Sequence, residues 1–274
     1  MRTKFRFLLI HLLSLMILFP PIIAQSIGDE VKLAKQIRTR GLFDETDFNN
    51  DTSAKRSTLM RVRLNAGFQP AENISAFLQL QDSRVYGSEP NTLSSLQNID
   101  LHQAYLRIDN FWTDELAFKV GRMELAYGGQ RLVGSVGWHN VGRAFDGSML
   151  SYKANGKLVL DVFGTKLIQQ TEPDNADSYF GGIYATVQPV KAHSLDFYIL
   201  GELNRKQSFE NEDDLRRITI GTHDKGKFGA IDYETELAAQ LGQRNDVGNK
   251  KRRDISAFMV TGSLGYTLDT PYLW

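Results

Sequence analysis

The chain contains no cysteine, which removes disulfides, thiolate chemistry, iron–sulfur clusters and lipid attachment through an N-terminal cysteine. After its first two dozen residues it also lacks any apolar run of ~18 residues, which excludes a helical membrane bundle. No charge sign is in excess. The 274 residues hold 32 basic and 32 acidic side chains, which is not the balance of a nucleic-acid binder. Catalytic signatures are missing as well. The five histidines, His11, His102, His139, His193 and His223, form no HExxH motif and no metal-ligand pair on one strand. There is no Gly-rich phosphate loop with its lysine. In Val133-Gly134-Ser135-Val136-Gly137, valine stands where a nucleophile elbow requires glycine. These absences predict a protein that is not an enzyme and carries no cofactor or metal. A lipase-type pair of Ser148 and His102 stays open as an alternative, without a motif behind it.

What is present begins with an export signal. Basic Arg2, Lys4 and Arg6 precede an apolar run from Phe7 to Phe19, and Pro20-Pro21 breaks it before Ala24-Gln25. A charged n-region, an apolar h-region and a small residue at the cut define a secretory signal over residues 1–24, with 25–274 as the exported domain. Removing the signal takes three from the 32 basic residues, leaving 29 against 32 acidic.

From about Val31 onward the dominant period is two. Met60, Val62, Leu64, Ala66 and Phe68 alternate with Arg61, Arg63, Asn65, Gly67 and Gln69. Side chains on a strand alternate between faces, so one face meets an apolar medium while the other carries arginines into a wet space. Similar alternation recurs around Leu78, Leu106, Phe118, Val162, Ile199, Leu237 and Val260, with weaker strands near Val31–Asp44, Ala144–Lys153, Tyr179–Gln188 and Asp214–His223. About twelve strands result.

Their connections alternate in length. Short turns are expected at Pro70–Asn73, Asn110–Asp114, Ala154–Gly156, Pro189–His193 and Asp224–Gly229. Longer polar loops are expected near Glu45–Ser57, Val85–Asn98, Glu124–Arg143, Gln169–Ser178, Lys206–Asp213 and Arg244–Arg253. This predicts an all-β, antiparallel, up-and-down transmembrane barrel with its long loops outside the cell. Closure leaves no unpaired edge in lipid. Outer-membrane lipid and lipopolysaccharide would surround it.

One stretch differs from the rest: Val120 to Gly147, VGRMELAYGGQRLVGSVGWHNVGRAFDG. It joins two strands through a loop rich in glycine and aromatics, with Arg122, Arg131 and Arg143. Glycine permits tight backbone turns, and arginine offers a fixed cationic fork for carboxylates. By itself the stretch fits a packed surface loop and an anion-binding element equally well.

The sequence resembles the alginate-export family of outer-membrane barrels. Gln81-Asp82-Ser83-Arg84-Val85-Tyr86-Gly87, Leu101-His102-Gln103-Ala104-Tyr105-Leu106, Gly121-Arg122, Gln130-Arg131-Leu132-Val133-Gly134, Gly137-Trp138 and Phe145-Asp146 carry the likeness, and Met123 stands where glutamine is frequent. The resemblance implies an eighteen-stranded pore with an arginine-lined constriction suited to a uronate polymer. Against eighteen, twelve strands read as a sequence missing its C-terminal strands. The expectation is a passive outer-membrane channel for an anionic polysaccharide or another small anion, with periplasmic partners undefined. A general porin without polymer preference is the alternative. Candidate pathway cations are Arg61, Arg63, Arg84, Arg107, Lys119, Arg122, Arg131 and Arg143, with Glu124, Asp146, Glu234 and Glu236 orienting them.

Overall fold

Twelve strands follow one another in chain order, and each is hydrogen-bonded antiparallel to the next in a single sheet. They are β1 (Lys32–Asp44), β2 (Lys55–Ala71), β3 (Ile74–Val85), β4 (Ile99–Ile108), β5 (Leu116–Met123) and β6 (Phe145–Ala154). The series continues with β7 (Leu158–Ile168), β8 (Ser178–Val187), β9 (His193–Ser208), β10 (Asn211–Phe228), β11 (Ile231–Asp246) and β12 (Lys251–Tyr266). This computed structural model describes residues 31–44, 55–89, 91, 99–168, 178–208, 211–246 and 251–268. The expected signal segment, its cleavage point and the C-terminal residues 269–274 lie outside them.

Register fixes which side chains share a face, because directly paired residues of an antiparallel ladder project the same way. On one face the pairing runs Arg38↔Arg61, Arg61↔Ser83 and Arg63↔Gln81, then Arg107↔Lys119, Asp196↔His223 and His223↔Glu236. On the other it runs Val162↔Ile183, Ile183↔Ile199, Ile199↔Ile220 and Leu237↔Val260. Those apolar residues are broadly exposed, up to 67% for Val260. The sheet is therefore inverted relative to a water-soluble protein: its apolar face looks outward and its charged face inward.

The core lies between the sheet and its own loop. Met123, Leu125, Val133, Phe145, Met149, Phe163, Tyr184, Tyr198 and Leu200 form one buried cluster, with Tyr127 and Leu132 packed on it. Tyr127 stacks on Tyr184 at 4.3 Å and on Phe163 at 5.5 Å. The connection between β5 and β6 thus folds back over the charged face, held there by aromatic burial.

Several boundaries differ from the sequence reading. Residues 206–208 and 211–213, expected in a long loop, continue the β9–β10 ladder, as in Gln207↔Glu212. Residues 244–246 and 251–253 likewise continue β11 and β12, so most of the basic run at Lys250–Arg253 belongs to a strand. Residues 224–228, expected in a turn, close β10. Strands of 16 and 18 residues reach roughly 50–60 Å at about 3.3 Å per residue, well beyond an apolar band of ~25 Å. Above that band a ladder needs no apolar alternation, so its polar sequence looks like loop.

Candidate functional site

Three attachments fasten the loop between β5 and β6 to the charged face. The first holds its ends. Arg63 Nε donates to Gln81 Oε1 at 2.6 Å, and Arg63 Nη1 lies 3.2 Å from Glu124 Oε1. His102 Nε2 lies 2.8 Å from the same carboxylate oxygen and 2.9 Å from Arg63 Nη2. The Glu124 main-chain N–H donates to Gln103 Oε1, and Gln81 Nε2 donates to Val141 O at 2.8 Å. His102 is the extra residue of a β-bulge opposite Gln79–Leu80. A bulge re-aims one side chain, and here it turns the imidazole onto Glu124. Burial opposes ionisation of Glu124, but the His102 hydrogen bond and the Arg63 charge outweigh it and hold the carboxyl below its usual range.

The second attachment holds the middle of the loop. Arg131 Nη1 lies 2.7 Å from Glu234 Oε1 and 3.2 Å from Glu236 Oε2. Buried His223 sits beneath them, with Nδ1 3.0 Å from Asp196 Oδ2 and Nε2 3.2 Å from Glu234 Oε1. Tyr198 donates to Glu236, Tyr184 to Asp196, and Tyr127 to Asp161 at 3.0 Å. Burial, then the Asp161 charge and hydrogen bond, push the Tyr127 phenol far up, so it stays a donor. Gly128 adopts φ +53, and a Cβ there would stand 3.0 Å from Tyr184 Oη and 3.1 Å from the His223 ring, so the turn requires glycine.

At the tip, the third attachment, Arg38 donates to Gly137 O at 2.7 Å and His139 O at 2.9 Å. Arg40 donates to Trp138 O at 2.5 Å and lies 4.4 Å from the centre of the Trp138 ring. Arg61 reaches Gly137 O at 3.3 Å and His139 O at 3.2 Å.

Of the residues expected from sequence, Arg61, Arg63, Glu124, Arg131, Glu234 and Glu236 come together around the loop. Arg107 and Lys119 share the same face nearer the short turns, Arg107 paired with Asp109 at 2.9 Å and Lys119 4.9 Å over the Tyr105 ring. The exposed Arg143 contributes its main-chain N–H to Ser135 O. Three expectations are corrected. Arg122 and Asp146 pair with each other at 2.8 Å on the outer face, as the Arg122↔Asp146 register requires. Arg84 also points outward, register-paired with Met60 and bonded to Asp82. All three side chains are directed away from the loop. Ser148 pairs with Val120 and Gly164 on the outer face while His102 lies on the inner one, so the two cannot act as a dyad. Missed from sequence were Arg38, Arg40, Gln81 and His223. Only the alternation Gln36, Arg38, Arg40 announced the first two, and Lys35 on the opposite face masked it.

An antiparallel meander that is apolar outside and charged inside, with a connection folded against the charged face, is the wall of an outer-membrane β-barrel. The chain belongs to the alginate export family, whose model matches residues 29–273. No curated protein matches it significantly. It is similar to OccK8 (OprE) of Pseudomonas aeruginosa, with 11% identity and a TM-score of 0.50, covering 87% of this chain and 64% of that one. OpdK of the same organism, solved with vanillate, gives 12% identity, a TM-score of 0.49, and coverage of 87% and 63%. The chain spans just under two thirds of the length of these barrels.

Proposed function

We propose that the protein, exported by its N-terminal signal and inserted among outer-membrane lipid and lipopolysaccharide, forms a passive channel for an anionic solute, first of all a uronate-type polysaccharide. The observation that carries this reading is the inner face of β1 and β2. Arg38 and Arg61 stand opposite each other there, and Arg40 and Arg63 lie two residues along their own strands on the same face, with only Arg63 ion-paired among the described residues. Arginines on a pore wall select anions by stabilising charge that has lost part of its water. Family membership and the fold support a channel rather than an enzyme, and the opposed faces of Ser148 and His102 remove the lipase alternative's only pair.

Aromatic groups support the membrane placement. Phe111 stacks on Trp112 at 4.8 Å and on Phe118 at 5.5 Å, and His193, Phe228 and Tyr233 cluster on the outer face beside another short turn. Such clusters are what an interfacial girdle requires. β1 and β12 are the two edges of the sheet, and their backbone groups need partners wherever they meet hydrocarbon.

A second reading has its own observation. Asp196, Glu202, Glu234 and Glu236 lie on the inner face of β9 and β11, giving a wall of both signs that suits a general porin. Block of bilayer conductance by an oligouronate, but not by a neutral oligosaccharide of equal length, supports the polyanion channel. Equal block by both supports the general porin.

A further inference from the structure

The loop tip rests on three guanidiniums that have no directly paired carboxylate among the described residues. Among the described residues, no carboxylate lies within 4 Å of Arg38, Arg40 or Arg61, whereas Arg63, Arg107, Arg131 and Arg217 each have one. Arg61 is 4% exposed. Its other hydrogen bond goes to Gln36 Oε1 at 3.1 Å, another neutral oxygen. The Nε groups of Arg40 and Arg61 are buried and have no acceptor among the described residues. Three guanidiniums thus converge on the carbonyls of Gly137, Trp138 and His139 with donors to spare. A carbonyl offsets only part of a guanidinium's charge, while a carboxylate forms hydrogen bonds about twice as strong.

The segment making these contacts is itself under strain. Val136, immediately before the tip, has φ 51, a left-handed conformation that β-branched residues rarely adopt. Trp138 stays 74% exposed although Arg40 stacks on it. The tip is therefore held by polar contacts more than by burial: by its arginines, and next to them by Asn140, which donates to Met60 O and Arg84 O and accepts from Ser83.

We propose that the tip is a built-in competitor for an anion site: the carboxylates of an acidic polymer displace the carbonyls of Gly137, Trp138 and His139 from Arg38, Arg40 and Arg61, and the loop yields as the polymer enters. The inference rests on the channel reading above and adds how its passage is regulated. The exchange is noncovalent. Each incoming carboxylate replaces a carbonyl on a guanidinium already oriented to receive it, and the freed carbonyls gain water.

Trp138 reports the exchange directly. With Trp112→Phe and Trp274→Phe it is the remaining tryptophan of the three, and its emission changes when it leaves the Arg40 guanidinium. Titration with oligogalacturonate is expected to give a saturable emission change that maltohexaose does not. Arg38→Gln and Arg40→Gln, made singly to spare the buried Arg61, should each weaken the titration about tenfold and raise the conductance without ligand. A purely structural tether would raise the conductance and leave the apparent affinity alone. Block of current with unchanged Trp138 emission overturns the displacement and leaves the channel reading standing. Absence of both block and emission change overturns both.

Discussion

A single nitrogen of His102 faces two partners: Nε2 stands 2.8 Å from Glu124 Oε1 and 2.9 Å from Arg63 Nη2. The Glu124 carboxylate only accepts, whereas Arg63 Nη2 has its own acceptor in Val141 O at 3.4 Å. The proton therefore belongs on Nε2, directed at Glu124, and Arg63 Nη2 lies beside the ring without donating to it. His102, Arg63 and Glu124 form a clasp at the base of the loop, and the strand that supplies Arg63 also supplies Arg61 to the tip.

Opening this clasp is the first prediction. Glu124→Gln removes the charge from two hydrogen bonds and leaves Arg63 without its carboxylate, at a cost of about 1–2 kcal/mol. Amide exchange across residues 124–144 is expected to accelerate by about tenfold or more, with the strands unaffected. Unchanged exchange would show that the loop does not depend on the clasp.

The same carboxylate sets a pH dependence. Its folded pKa lies below the ordinary glutamate value, so the folded state favours its ionised form. That contribution is complete above the unfolded value, about 4.3, and is lost as pH falls through the depressed folded one. Arg63 stays cationic throughout, and the Gln103 contact is neutral, so neither reverses the sign. Loop protection should decline with acidification below about pH 4.3 in the natural chain and lose that component in Glu124→Gln. Identical acid profiles for the two would count against the assignment.

Arg131 is the corresponding fastening at the middle of the loop. Arg131→Gln leaves Glu236, 5% exposed in its side chain, with Tyr198 as its remaining partner among the described residues. Because Arg131 is itself one-third exposed, solvent screens the pair and the loss is about 1 kcal/mol. Channel currents are expected to become noisier as residues 128–132 detach, and Glu234→Gln combined with Arg131→Gln should add little further. Full additivity in the double variant would mean the two side chains act independently.

How much of this was legible in sequence depends on where each residue sits relative to the apolar band. Within the band, Met60 to Phe68 and Ile231 to Leu241 alternate so regularly that strand, face and direction follow from period alone. Beyond it, Gln207 and Glu212 pair in a ladder that no hydropathy pattern marks. Arg122 teaches something different. Leu116, Phe118 and Val120 already assign its parity to the outer face, yet charge and the neighbouring glycines argued for the pore. At a strand end near water, an outward arginine paired with Asp146 carries little penalty, so parity outweighed charge. The bulge at His102 was not readable, because one inserted residue leaves no compositional trace.

That parity yields a selectivity prediction. Arg38→Glu places a negative charge on the inner face where a positive one stood. A unit charge ~4 Å from a passing ion is worth about 1 kcal/mol even at the dielectric constant of water, so the anion-to-cation permeability ratio should fall several-fold. Arg122→Glu, on the outer face, should leave the reversal potential in a salt gradient unchanged. Equal shifts in both variants would mean that Arg122 also faces the permeating ion.

Lipid contact on the outer face can be tested at neighbouring positions of β12. Val260 pairs with Leu237 and is 67% exposed, whereas Thr261 pairs with Glu236 on the inner face and its buried Oγ1 has no partner among the described residues. Within the apolar band, Val260→Arg places a guanidinium in hydrocarbon, a cost of ~2–4 kcal/mol. Thr261→Arg instead brings a cation toward the Glu236 carboxylate in a wet interior. Refolding into lipid vesicles across a urea series is expected to show Val260→Arg destabilised by that amount and Thr261→Arg within about 1 kcal/mol of the natural chain. Two residues one apart in sequence would then differ only in the face they occupy. A reversed order of stabilities would turn the sheet inside out and place the loop on the lipid side.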